Sequence, residues 1–363
     1  MGRQSRKYNP RSRTKRPIGL LDDANQSPSK PHPIPSKLGD RWFLPNPLAA
    51  RLNQKSGLGV IVEEGISMEA IEVLFCHWNR HIPVADDWVS AMLSTDHNFI
   101  AKAVVFDVAR SGGEIVIPVG NLPPDRYPNN TFAIKWSRNK SHFKNEPLSQ
   151  IRWFWASENV DWDELIDWVD QVLSDGSIPE VFVIDDEMDI TMYRLDYDHL
   201  FGNQPQWENL STKQVESVRT LMASKINTPS GCFIDNTVNW PLSSIGVEHL
   251  SGINLRGEEV EWLHDKLDSK ITNKSLFAHL TDAGCVLRPG FKYGCKWRVY
   301  DDEVSKSHAP WLLQPISEAP KSWEQICLAV RLAEGVHKRW VCGMMHQDTW
   351  RFLNIKRWLP GRI

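Results

Sequence analysis

The sequence predicts a mixed α/β protein built from two similar units in tandem, and three observations carry that prediction. A chain of 363 residues is longer than one ordinary core fills, and two domains of about 150 residues plus a tail is the natural division. The order of predicted helices and strands in the second half repeats that of the first. Finally, Trp136 and Trp297, Trp162 and Trp323, and Asp189 and Asp348 stand 161, 161 and 159 residues apart, and a near-constant offset marks an internal repeat.

Taken in order, the first unit opens on GVIVEEG as a short strand, followed by MEAIEVLFCHW as a helix because its apolar positions recur at helical spacing. IAKAVVFDVA and GEIVIPVG read as two strands joined by the turn SGG. DWDELIDWVDQVL is an amphipathic helix, EVFVIDD a buried strand and ITMYRLD the strand after it. In the second unit GEEVEWLHDKL is a helix, CVLRPG and CKWRVYD are strands, SWEQICLAVRLAEGV is a helix, and RWVCGMM and DTWRFLNI are strands. Each unit is thus expected to have a helical N-terminal part and a C-terminal small mixed sheet packed on helices.

Residues 1–40 differ in composition. Arg3, Arg6, Lys7, Arg11, Arg13, Lys15 and Arg16 precede the Pro/Ser stretch SPSKPHPIPSK, which offers too little apolar area to offset the entropy of ordering. A disordered basic tail is expected, either touching nucleic-acid phosphates or serving solubility alone. The expected division is therefore a tail at 1–40, a first repeat at 41–197, a linker at 198–230 and a second repeat at 231–363.

Composition excludes several classes. A net charge of -3 argues against a protein that coats nucleic acid non-specifically, so any such contact must be local. The six cysteines Cys76, Cys232, Cys285, Cys295, Cys327 and Cys342 are scattered, without a CxxC pair, which suits a reducing cytoplasm. No apolar run approaches the roughly 20 residues a bilayer span requires, so no membrane association is expected. The 17 tryptophans read mainly as packing residues.

The stretch RPGFKYGCKWRVYDDEVSKSHAPWLLQP and the helix ICLAVRLAEGVHKRWV carry the functional signal. They resemble the catalytic domain of the tRNA-intron endonucleases, in which a turn and strand of the form G-x-K-[FY]-G-x-x-[FW]-R-V-Y lead to a loop histidine and then to a lysine after an apolar helix. Gly290, Lys292, Tyr293, Gly294, Trp297, Arg298, Val299 and Tyr300 match, followed by His308, Arg331 and Lys338. Singly these are weak signals: Tyr300 would be a strand packing residue, His308 a solvated loop histidine, and Lys338 a charge closing a helix. In order, they specify a site.

The resemblance implies a tandem duplication of the endonuclease repeat, and an RNA cleavage in which Tyr300 is the general base, His308 the general acid and Lys338 the group that stabilises charge on the phosphate. The attacking group is the RNA's own 2'-hydroxyl, so proton transfer and charge stabilisation are the whole task, and no metal or other cofactor is expected. A phenol, with an ordinary pKa of about 10, is a poor base at neutral pH unless cations stand beside it. An imidazole, ordinarily near 6.5, suits the acid role. The substrate implied is precursor tRNA folded as a bulge-helix-bulge.

Family members clamp a flipped bulge base between cationic or aromatic side chains, and Arg331 matches the first clamp position. Trp350, with Arg351 and Arg357 as substitutes, is the choice for the second. Arg331 lies two helical turns before Lys338 and would share its face if the helix continued. Two cuts need two sites while the chain carries one intact set, so a homodimer is expected. In the first repeat, Asn139 stands opposite Tyr300, a residue near Leu148 opposite His308, and Ser177 or Pro179 opposite Lys338. That copy is read as non-catalytic, with Glu158, Asp161, Asp163 and Glu164 either a surface for a partner subunit or a solvated acidic face. Two other readings remain: a non-catalytic RNA-binding subunit, and a metal-dependent nuclease using Asp185, Asp186 and Glu187.

Overall fold

Each half of the chain opens on a pair of short hairpins. In the computed structural model, which describes residues 32–138, 140–235, 240–249, 252–268 and 275–359, the first pair is β1 (Ser36–Leu38) with β2 (Arg41–Pro45) and β3 (Val60–Val62) with β4 (Gly65–Met68). The helix α1 (Leu48–Ser56) connects them, and the sheet runs in the order β1-β2-β4-β3. Three helices follow: α2 (Ala70–Arg80), α3 (Trp88–Thr95) and α4 (Phe99–Ala109). The chain then enters a second sheet through β5 (Ile115–Pro118), β6 (Ala133–Trp136) and β7 (Ser149–Trp155). The helix α5 (Trp162–Ser174) crosses to β8 (Ile178–Ile184), which pairs parallel to β7, and β9 (Ile190–Asp198) returns antiparallel.

The second half repeats this plan. After α6 (Thr212–Ala223) come β10 (Ile226–Thr228), β11 (Gly231–Ile234), β12 (Val247–His249) and β13 (Gly252–Arg256), ordered β10-β11-β13-β12. The helices α7 (Gly257–Leu267) and α8 (Leu276–Asp282) lead to β14 (Val286–Pro289), β15 (Trp297–Tyr300) and β16 (Trp311–Pro315). The helix α9 (Trp323–Gly335) crosses to β17 (Arg339–His346), parallel to β16, and β18 (Thr349–Trp358) returns antiparallel.

The two halves are joined more closely than a linker would join them. β18 pairs antiparallel with β9, from Phe352 opposite Asp198 to Trp358 opposite Met192, so both sheets become one of ten strands. Against one face of this seam α5 and α9 bury a shared core in which Phe154 of the first half stacks on Trp323 of the second, ring centroids 4.7 Å apart.

The mixed α/β class, and most of the elements read from the sequence, are present. Three details differ. IAKAVVFDVA, read as a strand, is α4: it is buried around most of its circumference, so no polar stripe reveals its period. The N-terminal part of each half is more than helical, because it carries a four-stranded sheet whose short, partly exposed strands give little apolar signal. The stretch 198–230 holds α6 and β10, with Val218, Leu221 and Met222 in the C-terminal core. Of the expected disordered tail, residues 1–31 lie outside the described residues, while Ser36–Leu38 forms β1.

Candidate active site

β15 alternates between two faces, as any strand does. Trp297 and Val299 enter the core beneath α7 and α8, leaving Arg298 and Tyr300 to share the opposite face. The Tyr300 ring is 5% exposed and packs with Val286, its cross-strand partner, and with Ala309. Its hydroxyl is held by Arg298, whose Nη1 donates to Oη at 3.0 Å. The guanidinium is itself fixed, with Nε donating to the Pro289 carbonyl at 3.1 Å.

From Tyr300 the chain enters a loop closed by the Lys306 and Ser307 amides, which donate to the Glu303 carbonyl at 2.9 and 3.2 Å. His308 stands exposed at its end. The loop is then stitched to the turn after α9. Lys338 Nζ donates to the Ala309 carbonyl at 2.7 Å, and the Arg339 amide donates to the Pro310 carbonyl at 2.9 Å. Burial, and then the charge of Arg298, hold the Lys338 ammonium below the usual lysine range. Ala309 thus touches Tyr300, binds Lys338 and is bonded to His308, so β15, the loop after it and the turn after α9 converge on one strand end.

Lys338 does not continue the helix of Arg331. α9 ends at Gly335, and His337 adopts a left-handed backbone (φ 56) that turns the chain into β17. Arg331 is exposed on the last turns of α9. Trp350 and Arg351 lie at the other end of β17, opposite Met345 and Met344, six residues and roughly 20 Å from Lys338 along the strand. Trp350 packs half-buried on the C-terminal core. Arg351 is engaged by a bidentate pair with Asp170 at 2.5 and 2.7 Å and stacks 3.8 Å from the Tyr197 ring centre. Arg357 is exposed, its amide donating to Glu334 at 3.0 Å. Trp350 and Arg351 therefore lie far down the sheet from Lys338, whereas the Arg357 backbone is bonded to Glu334 on the same helix as Arg331.

At the matching end of the first half, Ser177 precedes β8 as Lys338 precedes β17, and it is buried. Asn139, opposite Tyr300, lies outside the described residues. The acidic group there has partners within the chain. Asp161 caps α5, accepting from the Glu164 amide at 3.0 Å, and Glu164 pairs with Arg152 at 3.2 Å. The Glu158 carboxylate accepts from the Trp155 amide at 3.2 Å. Asp185 accepts from the Glu187 and Asp189 amides, closing its own turn, and among the described residues no group of three or more His, Cys, Asp and Glu is placed to hold a metal ion.

Sequence reasoning missed the role of Arg298. It was part of the motif but not of the site, although its position two residues before Tyr300 on a strand puts both side chains on one face.

Comparison with known proteins bears on this site directly. Residues 271–350 match the family described as tRNA intron endonuclease, catalytic C-terminal domain. The chain is 26% identical over 177 residues to a tRNA-splicing endonuclease of Thermoplasma volcanium, a match covering 48% of this chain and 54% of that protein. It is 30% identical over 128 residues to one from Natronomonas pharaonis, covering 33% and 37%, and 36% identical over 92 residues to one from Halobacterium salinarum, covering 24% and 27%. The chain therefore spans about half the length, or less, of these relatives.

Proposed function

Because the chain belongs to the tRNA-intron endonuclease family through residues 271–350, we propose that it excises introns from precursor tRNA by cutting at bulge-helix-bulge junctions. The observation that carries this reading is the bond from Lys338 to the Ala309 carbonyl, which ties the lysine turn to the histidine loop against the Tyr300 ring.

In the proposed reaction Tyr300, as phenolate, takes the proton of the RNA 2'-hydroxyl. The freed 2'-oxygen attacks the adjacent phosphorus, and the bond from phosphorus to the 5'-oxygen breaks. His308 as imidazolium gives its proton to that leaving oxygen. The products are a 2',3'-cyclic phosphate and a 5'-hydroxyl. Lys338 meets the charge that collects on the non-bridging oxygens, a contribution made in the transition state. Arg298 positions the base: by donating to Oη it fixes the place of the oxygen.

On this reading residues 231–363 are a catalytic repeat and 41–197 a related repeat without the catalytic set, in a duplicated chain. The shared strand order of the halves supports that descent. Two cuts per intron call for a second copy, and a homodimer supplies it.

The test is cleavage of an intron-containing precursor in EDTA, with analysis of the ends. The wild type is expected to cut at both junctions and His308→Ala to lose at least a hundredfold in rate, the scale of a lost general acid. Undiminished cutting by the variant would overturn the assignment.

A further inference from the structure

A cavity of about 400 Å³ lies on the other face of the same strand ends, lined by Asp198, His199, Phe201, Asn203, Asp301, Trp311 and Arg339. Its residues interleave with those of the proposed site: Asp301 follows Tyr300, Arg339 follows Lys338, and Trp311 comes three after His308. Neighbours along a strand point to opposite faces, so this cavity and the proposed cutting site are back to back across a single layer of backbone.

The cavity is built on ordered parts. Its floor is Trp311, whose Nε1 donates to Asp198 Oδ2 at 2.8 Å. Arg339 pairs with the same oxygen at 2.7 Å and lies 5.1 Å from the Trp311 ring centre, with its side chain still 49% exposed. One wall is the loop after β9, held by three backbone bonds: Gly202 to Ala283 at 2.9 Å, Asn203 to Asp301 at 2.8 Å and Gln204 to Gly284 at 3.1 Å. Gly202 sits so close to Gly284 that an added Cβ would lie 2.2 Å from its carbonyl oxygen. This fixed loop presents Phe201 at 65% exposure. A rigid backbone holding an aromatic ring in solvent, beside a guanidinium plane, is how unpaired bases are stacked. Asp301 adds an edge reader. Its carboxylate is half-exposed, takes no side-chain hydrogen bond among the described residues, and only accepts.

We infer that this cavity binds the unpaired nucleobase next to the cut phosphate, stacking it on Phe201 beside Arg339 and reading an exocyclic amino group through Asp301. Adenine, cytosine and guanine carry such a group and uracil does not, so uridine is disfavoured there. The inference rests on RNA being the substrate and deepens the proposed function.

The probe is a bulge-helix-bulge RNA carrying 2'-deoxynucleotides at the cuts, which binds without being cut, with 2-aminopurine placed on either side of one cut in turn. At one of the two positions the wild type is expected to quench the fluorescence. Phe201→Ala should abolish the quenching and weaken binding about tenfold, within the range for one stacked base. Asp301→Asn should reduce an expected preference of about tenfold for cytidine over uridine at that position to near one. Phe201 is exposed and the Asn side chain isosteric, so both variants should melt with the wild type. Wild-type affinity and quenching in Phe201→Ala, with unchanged base preference in Asp301→Asn, would overturn the pocket. If the all-ribose RNA is left uncut by the wild type while these binding changes appear, the catalytic reading falls and the pocket stands.

Discussion

The two halves use one device at the same place and different chemistry at another. In the first, Gly59 in a left-handed turn (φ 66) donates its amide to Glu72 Oε1 at 2.8 Å, and the Glu69 amide donates to Oε2 at 2.9 Å. In the second, Gly246 (φ 79) donates to Glu259 Oε1 at 3.1 Å, and the Arg256 amide to Oε2 at 2.8 Å. Both glutamates are fully buried and both join a hairpin to the first turn of a helix. The backbone therefore demands the same residue twice, because buried amides left unpaired are costly.

At the far strand ends the halves part. The second gathers Arg298, Tyr300 and Lys338, where the first has a buried Ser177 before β8. Inside the first half, Lys135 and Arg194 both meet the buried Glu180 beneath Trp358. Charge serves the core in both halves, and the second adds the charged groups Arg298 and Lys338 at a strand end.

The sharpest way to break this contrast is Tyr300→Phe. The ring keeps its place against Val286 and Ala309 while the oxygen is lost, so cleavage should fall by about 10² to 10⁴ with Tm unchanged. A Tyr300→Phe enzyme that cuts normally would make the second half as purely structural as the first.

Lys135→Met should do the reverse. Removing one partner of a buried pair is expected to lower stability by about 3 kcal/mol, read by urea unfolding, while cleavage per folded molecule is retained. Smaller is the difference between Glu259→Gln and Glu72→Gln. Arg256 and Arg288 both face Glu259, at 3.0 and 3.4 Å, so its loss leaves two half-buried cations without their carboxylate and should cost about 1 kcal/mol more than the loss of Glu72. Equal costs would mean that the backbone bonds alone matter.

The smallest effect concerns pH. Burial, reinforced by Glu72, raises the Glu69 carboxyl from its ordinary 4.5 to about 7. Between those values the folded state holds a proton that the unfolded chain releases, so stability falls as pH rises through that window. Glu69→Gln should flatten the fall in Tm between pH 5 and 7.5, and an unchanged slope would show that the carboxyl titrates normally.

Much of this was legible without coordinates. Helices with one polar face, such as Trp162–Ser174 and Gly257–Leu267, show their period in the sequence, and so do the buried strands that follow each crossover helix. Phe99–Ala109 does not, because burial on nearly all sides erases the difference between a helix and a strand. Among the short strands of the N-terminal sheets β3 is legible in GVIVEEG, whereas β1 and β12 are exposed throughout and carry hardly any apolar pattern.

The sequence by itself determined the class of fold, the repetition of its elements and the order of Tyr300, His308 and Lys338, since periodicity and spacing are local properties of a chain. Tertiary structure alone decided that β9 and β18 would join the halves into one sheet, that α9 would stop three residues before Lys338, and that Arg351 would be spent on Asp170 while Arg298 faced the tyrosine. The reason is physical. Which edge a strand finds, and which of several arginines meets a carboxylate or a phenol, depends on surfaces that exist only after distant segments have packed.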